Sequence, residues 1–440
     1  MPKTYFLTIR KCLKLVVARL TERIQLLVWV AIAGACILPS HAQKVSYDLS
    51  LEAGVDPFLH SLIKDALLIS PELKAAGSLQ ESGRHQLRAA KMGWLPSLSV
   101  DAFATAMDDQ NDPTLTIDQP LWTGGRIKAD IERSKSAISS ANAGYEEAVY
   151  NLISQVSEQY YFGVSAAARI ETLERSLKRH KELVEMIGRR AETGVSPETD
   201  MRLAESRAGL LETDISLAQM ELDTALLNLS ELTGREAHSI ILDIDTLKVD
   251  LFELDTDILD QALACSPTLK RLRAEAKVAS SDADRIKAEI YPELSLRYSH
   301  TDRLGDEVGL SLRASTNAGF SSAARASAAR EQANARYAEI ATTQRQIRQS
   351  VLQALVQHQT SFTRISQTEQ AAKSSEDVKS SYERQYVAGR RTWLDLMNAV
   401  RELSNAELNA VSAKTTALSA ASKLRLQTCQ WASFQTDQQK

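Results

Sequence analysis

The sequence is poor in the residues that interrupt helices. Its 440 residues include 17 glycines and 10 prolines, and aromatic side chains make up only 5%. Glycine and proline both fall below their average usage in globular proteins. Because these residues mark turns and end helices, their scarcity argues against a many-turned β-sandwich and predicts long, uninterrupted helices.

The sequence also lacks the motifs of enzymes. Its seven histidines are scattered singly, and it contains no HExxH, CxxC, GxSxG or GxxxxGK motif. The acidic residues are spread along helical patterns, where solvated surface charge is the ordinary explanation. We therefore predict a protein that is not an enzyme and that holds neither a cofactor nor a metal ion.

The longest apolar run lies in the first 42 residues. There, six basic residues and one acid accompany the segment LLVWVAIAGACIL, and Ser40 and Ala42 fit the small-residue rule for cleavage after Ala42. We interpret residues 1–42 as a signal peptide. An uncleaved anchor or lipid attachment at Cys36 are the alternatives, and both also imply export.

The rest of the chain is acidic and has few cysteines. Without residues 1–42 it holds 46 basic and 55 acidic side chains, a net charge of −9, and no basic block, so we do not expect nucleic acid as a partner. Cys265 and Cys429 remain, and they either form a disulfide or are two small buried side chains. No stretch after Ala42 approaches eighteen apolar residues, so crossing a membrane would require a closed β-barrel.

The chain contains two copies of one unit. ALLISPELK at Ala66 matches ALACSPTLK at Ala262, and WLPSLSV at Trp94 matches IYPELSL at Ile290, both at an offset of 196 residues. Such a period is too long for a solenoid, so we predict two tandem repeats of one supersecondary unit. The predicted divisions are a first repeat over 43–245, a second over 246–430 and a C-terminal tail over 431–440.

Each repeat has the same predicted plan. A helix comes first, then two strands in which apolar and polar residues alternate, a long helix, a glycine, and a helix with a heptad seam rich in alanine. The first helices are predicted at about 56–90 and 258–289, and the long helices at about 126–191 and 321–388. The strands are predicted at about 95–106, 114–122, 292–302 and 307–316.

The glycines Gly194 and Gly389 lie where one long helical pattern stops and the next begins. They predict antiparallel coiled-coil hairpins with tips at about 193–198 and 389–393. Four strands cannot close a barrel alone, since about eight is the smallest closed barrel, so several chains must contribute strands. The alternative is a four-stranded sheet packed on helices in a protein that does not span a membrane.

The order of these elements resembles that of the TolC-type outer-membrane efflux and secretion channels. The most specific segments are QPLWTGGRI, from Gln119, and YVAGRRTWLDLMNA, from Tyr386. The resemblance implies a mainly α fold with a small β part. In that family three chains form a twelve-stranded transmembrane β-barrel and a periplasmic α-helical barrel.

The resemblance also implies partners and a function. These are two sister chains in a homotrimer, outer-membrane lipid, a periplasmic adaptor (membrane fusion) protein, and an inner-membrane ABC transporter or other pump. The segment RRTWLDLMNAVRE is closer to members that serve type I secretion, including those that export large adhesins. The alternatives are a multidrug or small-molecule efflux channel and, in another class, an exported coiled-coil scaffold without a pore.

The resemblance further assigns roles at the hairpin tips. Asp395 matches the first acid of a selectivity ring at the periplasmic gate, and Asn398 stands where the best-known members have a second acid. Arg391 matches an arginine that ties the hairpins of the closed gate together with Tyr386 and Asp200. The tip turns, where an adaptor would dock, contain Gly194, Val195, Gly389 and Arg390. The alternative is that these are ordinary solvated residues beside a turn.

Overall fold

A computed structural model describes residues 56–101, 114–242, 244, 257–301, 305–314 and 317–430. All of them lie in one structural unit, Leu49–Ser433. The predicted signal peptide over 1–42 and the predicted tail over 431–440 lie outside the described residues.

The elements follow the predicted order twice along the chain. The α-helices are α1 (Pro57–Ile69), α2 (Pro71–Met92), α3 (Arg126–Glu192), α4 (Glu198–Thr233), α5 (Ile258–Cys265), α6 (Pro267–Ala288), α7 (Asn317–Val387) and α8 (Trp393–Gln427). The strands are β1 (Ser97–Asp101), β2 (Thr114–Trp122), β3 (Glu293–Thr301) and β4 (Gly305–Arg313). A short 3-10 helix, Ala237–Ser239, follows α4.

The start of each repeat is two helices, and our prediction of one continuous helix there is wrong. The chain breaks at Ser70 and again at Ser266, and a proline begins the next helix each time. The Ser70 hydroxyl accepts a hydrogen bond from the Leu73 amide at 3.4 Å, and the Ser266 hydroxyl does so from the Leu269 amide at 3.3 Å. Proline ends the preceding helix, while serine caps the following one. The duplicated Ser-Pro dipeptide is therefore a helix boundary.

The long helices form the two hairpins. Helix α3 has 67 residues and α7 has 71, so each extends for roughly 100 Å at the standard rise per residue. Helix α3 packs against α4, and α7 packs against α8. Helix α3 also packs against α6 and α8, which joins the two repeats along their length.

The heptad seams of the return helices face their neighbours. In α4, Ala204, Ala208, Ala218 and Ala225 are all buried. Helix α8 is buried at equivalent alanines and leucines, including Ala399, Ala406, Ala413, Ala417, Leu403 and Leu424. Small side chains at these positions allow the helix axes to approach closely. In the described part of the chain, no helix has both the length and the apolar character needed to span a bilayer.

The strands form one antiparallel sheet in the order β1-β2-β3-β4. Its central pairing, β2 with β3, joins the two repeats, from Thr114 opposite Thr301 to Trp122 opposite Leu294. Strand β4 lies two to three residues earlier than the predicted 307–316. Arg313 pairs with Glu293, the first residue of β3, so no partner remains beyond it. The predicted extension of β1 to residue 106 lies outside the described residues.

A disulfide joins Cys265 to Cys429, which decides between the two alternatives for this pair. It connects the end of α5 to the residues just after α8, with the Cα atoms 6.2 Å apart. Ala262 and Leu424, close in sequence to the two cysteines, belong to one buried hydrophobic cluster. The covalent bond therefore fastens the end of the second hairpin to the beginning of its own repeat.

We expect a Cys265→Ser/Cys429→Ser double variant to unfold at a lower temperature than the unaltered protein. The bond closes a loop with a separation of 164 residues, for which the chain-entropy relation gives an upper value of about 5 kcal/mol. Thermal unfolding followed by circular dichroism measures the change. As a control, a reducing agent should lower the unfolding midpoint of the unaltered protein but not that of the double variant. Finding two free thiols in the denatured, unreduced protein would contradict the pairing.

Candidate functional site at the hairpin tips and the sheet

The two tips share one backbone geometry. Gly194 and Gly389 have φ angles of 71° and 70°, in the left-handed region that side chains other than glycine rarely adopt. The Val195 amide donates to the Arg190 carbonyl at 2.9 Å, and the Arg390 amide donates to the Gln385 carbonyl at 2.9 Å. These bonds span six residues and satisfy carbonyls that the helix end leaves free, as in a Schellman motif. The sequence repeat therefore extends to the hydrogen bonds of the turns.

Below the turns, the hairpins share a hydrophobic cluster. Leu183 and Ile187 of α3 contact the second hairpin near its tip. The buried members from the second hairpin are Tyr386, Trp393, Leu396, Met397 and Val400. Trp393 therefore packs inside the hairpin core. Apolar contacts of this kind stabilise the packing of the two hairpins below the turns.

Asp395 caps helix α8. Its carboxylate accepts hydrogen bonds from the Thr392 hydroxyl at 2.8 Å and the Thr392 amide at 3.2 Å, while the Asp395 amide donates to the Thr392 hydroxyl. This is a capping box. The hydrogen bonds from Thr392, followed by the charge of Arg391, hold the pKa of Asp395 below its usual range. The carboxylate therefore stays charged at neutral and mildly acidic pH.

The predicted tie between Asp200, Tyr386 and Arg391 is not made in this structure. The Arg391 guanidinium stacks 4.3 Å from the centre of the Tyr382 ring, and its Nη1 lies 3.8 Å from the Asp395 carboxylate. Arg391 thus contacts residues of its own hairpin, Tyr382 on α7 and Asp395 on α8. The Tyr386 hydroxyl is buried and has no hydrogen-bond partner within the described residues.

Arg190 makes the contact between the tips instead. Its guanidinium lies 5.0 Å from the centre of the Tyr386 ring on the other hairpin, an attractive cation–π geometry. The carbonyl of the same residue accepts the amides of Val195 and Ser196 in the turn. Sequence reasoning missed Arg190, because it lies before the glycine and outside the segments that carried the resemblance.

The remaining predicted residues lie around these contacts. Asp200 is half-buried in the first turn of α4, and Asn398 is exposed on α8, one helical turn after Asp395. Val195 and Arg390 are exposed at the outermost part of the tips. The structure thus places all the predicted tip residues in one region but does not link them as predicted.

Further along, polar side chains join α3 to α8. Arg179 pairs with both carboxylate oxygens of Glu407, at 2.5 and 3.2 Å, and the Ser176 and Ser404 hydroxyls are hydrogen-bonded in a buried position. Burial lowers the pKa of His180 although its ring contacts the Ser176 carbonyl, so the imidazole stays neutral at pH 7. The Arg179–Glu407 and Ser176–Ser404 pairs each join residues 228 positions apart, so no local sequence pattern predicts them.

The sheet has one apolar and one polar face, as the alternation predicted. The strand register places on the apolar face Leu98, Val100, Leu115, Ile117, Leu296, Tyr298, Val308, Leu310 and Leu312. The opposite face carries Ser97, Ser99, Thr116, Asp118, Ser295, Arg297, Ser299 and Ser311. Most of the large apolar side chains are exposed in the single chain. An exposed apolar face of this size is typical of a surface that contacts protein or lipid.

The apolar face also carries a hydrogen-bonded polar group at one end of β3 and β4. Asp306 accepts from the Tyr298 hydroxyl at 2.8 Å and contacts the His300 ring at 2.7 Å. At the opposite end of the sheet, where strands meet helices, Trp94, Trp122 and Tyr291 are exposed. Within the described residues, β1 pairs only with β2 and β4 pairs only with β3, so both outer strands have an open edge.

A Gly389→Ala substitution should destabilise the tip. A Cβ atom would meet no neighbour there, so the cost is that of the left-handed backbone alone, about 1 to 2 kcal/mol. Gly209→Ala is the matched control, because Gly209 lies inside α4 with equally open surroundings. There alanine should stabilise by about 0.5 to 1 kcal/mol. Unfolding midpoints that shift in the same direction for both variants would contradict this account of the turn.

Comparisons with known proteins agree with this architecture. The sequence profile described as "Outer membrane efflux protein" matches residues 62–235 and 258–428, one segment in each repeat. The alkaline protease secretion protein AprF of Pseudomonas aeruginosa is 24% identical over 398 residues, which is 82% of each chain.

Two solved structures have the same fold. The outer membrane protein VceC of Vibrio cholerae has a TM-score of 0.73 at 20% identity, over 84% of this chain and 95% of that one. The open-state MtrE outer membrane channel of Neisseria gonorrhoeae has a TM-score of 0.71 at 18% identity, over 89% and 97%. The profile match in both repeats confirms the resemblance drawn from the sequence. The chain belongs to the outer membrane efflux protein family, whose members are channels of the outer membrane.

Proposed function

We propose that three copies of this chain form the outer-membrane channel of a tripartite export system, most specifically one for type I protein secretion. The observation that carries the proposal is the sheet: four strands with one apolar face, one polar face and two open edges. In lipid every backbone polar group must be satisfied, so open edges have to pair with the edges of sister chains. Three sheets joined in this way make a closed twelve-stranded barrel.

The dimensions support this arrangement. Strands β2, β3 and β4 each have nine residues, or roughly 30 Å at the standard rise, and a tilted strand of this length covers the hydrocarbon core. The apolar face would contact lipid, and Trp94, Trp122 and Tyr291 would lie near one interface. Twelve strands exceed the number whose interior is filled by side chains, so the polar face would line an open lumen.

The helices supply the second part of the proposal. The hairpins of three chains would extend from the barrel into the periplasm and present their tips to an adaptor protein. We assign docking to the turns at Gly194, Val195, Gly389 and Arg390, where the side chains of Val195 and Arg390 are exposed. Because the sequence contains no nucleotide-binding motif, an inner-membrane ABC transporter or other pump would supply the energy. Residues 1–42 would direct export and be removed.

The cargo is proposed as protein because of the secretion relative. AprF is named for alkaline protease secretion and matches most of this chain. The family description, efflux, favours small molecules as the second candidate. In either case a wide aqueous passage selects weakly, and the pump would choose the cargo.

Deleting the gene and comparing two phenotypes tests the proposal. Loss of a large secreted protein from the culture medium, without greater sensitivity to toxic small molecules, is expected for protein secretion. Sensitisation without loss of secreted protein would favour efflux. The purified protein should also behave as a detergent-stable trimer from the outer-membrane fraction. A monomer released by salt would overturn the channel itself.

We further propose that the tips form a gate with two arrangements. Three copies of Asp395, with Asn398 one helical turn further on, would form a ring around the opening. This ring would carry less negative charge than one with two acids in each chain. The Arg190 guanidinium stacks on the Tyr386 ring, and the Tyr386 hydroxyl has no hydrogen-bond partner within the described residues. In a closed arrangement the hydroxyl would donate to Asp200, with Arg391 nearby. An unpaired buried hydroxyl supports an alternative partner, because leaving it unpaired costs free energy.

A Tyr386→Phe variant should conduct more than the unaltered protein in planar bilayers, because it cannot donate to Asp200. Its thermal stability should be preserved, since the hydroxyl makes no hydrogen bond in this structure. Tyr382→Phe is the control, because the ring under Arg391 remains. If Tyr386→Phe conducts like the unaltered channel, the proposed tie does not form.

A further inference from the structure

A cavity of about 290 Å³ lies where the polar face of the sheet meets the helices. Its lining includes the five charged side chains Asp118, Arg126, Glu293, Arg297 and Arg313. They come from three strands and from the start of α3. Three are basic and two are acidic, so the group carries one excess positive charge.

Four of these charges are paired. The Arg126 Nε donates to the Glu293 carboxylate at 2.7 Å. The Arg297 guanidinium donates to both oxygens of Asp118, at 2.8 and 2.9 Å. The second pair is bidentate, which fixes the planes of both groups. Each pair joins the first repeat to the second.

Arg313 provides the excess charge. Its cross-strand neighbour is Glu293, but that carboxylate is already bound by Arg126. Arg313 is exposed, and no carboxylate of the described residues forms an ion pair with it. Asp118 lines the same cavity, but both of its carboxylate oxygens accept hydrogen bonds from Arg297. Arg313 is therefore available to an anion on the polar side of the sheet.

We propose that Arg313 determines charge preference in the lumen. In three chains it would form a ring of excess positive charge at the helix end of the barrel, and this ring would attract anionic groups. The cargo that fits is a polypeptide with carboxylate-rich segments. Among small ions, chloride would be attracted in the same way. This inference rests on the proposed trimeric channel, because only there does the polar face line a passage.

The basic ring would be local. On the same face, Asp101 and Glu307 lie toward the opposite end of the sheet. The ion selectivity of the whole pore would therefore reflect both the basic ring at the helix end and the acidic residues at the opposite end. For this reason the test compares variants at one position instead of reading the selectivity of the unaltered pore. The field of an exposed charge extends about 10 Å at 0.1 M salt and about 3 Å at 1 M salt.

The experiment measures reversal potentials across planar bilayers that contain the full-length trimer in a KCl gradient. Arg313→Gln should lower the ratio of chloride to potassium permeability by about twofold at 0.1 M KCl and by less at 1 M KCl. Arg313→Lys keeps the charge, so it should retain the ratio of the unaltered channel. Glu293→Gln removes an acid beside Arg313 and should raise the ratio.

A cargo-like probe provides the second measurement. Poly-L-glutamate should block the unaltered channel and Arg313→Lys at lower concentration than it blocks Arg313→Gln. Equal ratios and equal block for Arg313→Gln and the unaltered channel would overturn the inference while leaving the channel intact. An unaltered protein that conducts no ions would instead overturn the proposed function.

Discussion

Among the residues that the structure describes, each outer strand of the sheet has one edge without a pairing strand, and the other features of the sheet are consistent with that constraint. The central β2–β3 pairing joins the repeats, and the two hairpins follow β2 and β4, which lie on either side of β3 in one sheet. The apolar face of the same sheet has no covering layer within the described residues. Open edges and an uncovered apolar face are the two properties on which the proposed assembly of three chains depends.

The hairpins are held together by two kinds of contact that differ in their capacity to change. Along their length, buried alanines and the Arg179–Glu407 pair fix α3 against α8. At the tips, the contact between hairpins is the apolar cluster and the stacking of Arg190 on Tyr386. A stacked guanidinium can leave a ring without breaking a hydrogen bond. Separating Arg190 from Tyr386 would therefore break no hydrogen bond between the tips.

Much of this architecture was predictable from local patterns. The repeats, the strand faces and the glycine turns follow from short-range spacing, and the structure agrees with each. The Ser-Pro dipeptides at Ser70 and Ser266 are local signals of a helix boundary, although the apolar pattern on both sides of each also fits one continuous helix. Contacts between distant residues were not predictable. Arg190 with Tyr386 and Arg126 with Glu293 depend on how two helices and a sheet come together, and the pairing of Cys265 with Cys429 had an equally plausible alternative.

The left-handed glycine and the six-residue hydrogen bond that the two tip turns share have a consequence for stoichiometry. After Gly194 the chain continues with Val195 and a neutral serine, whereas after Gly389 it continues with Arg390 and Arg391. A ring of three chains would thus present six tip turns of similar shape, and every second turn would carry two arginines. A docking protein that reads shape alone could seat six copies, while one that reads charge would count only three.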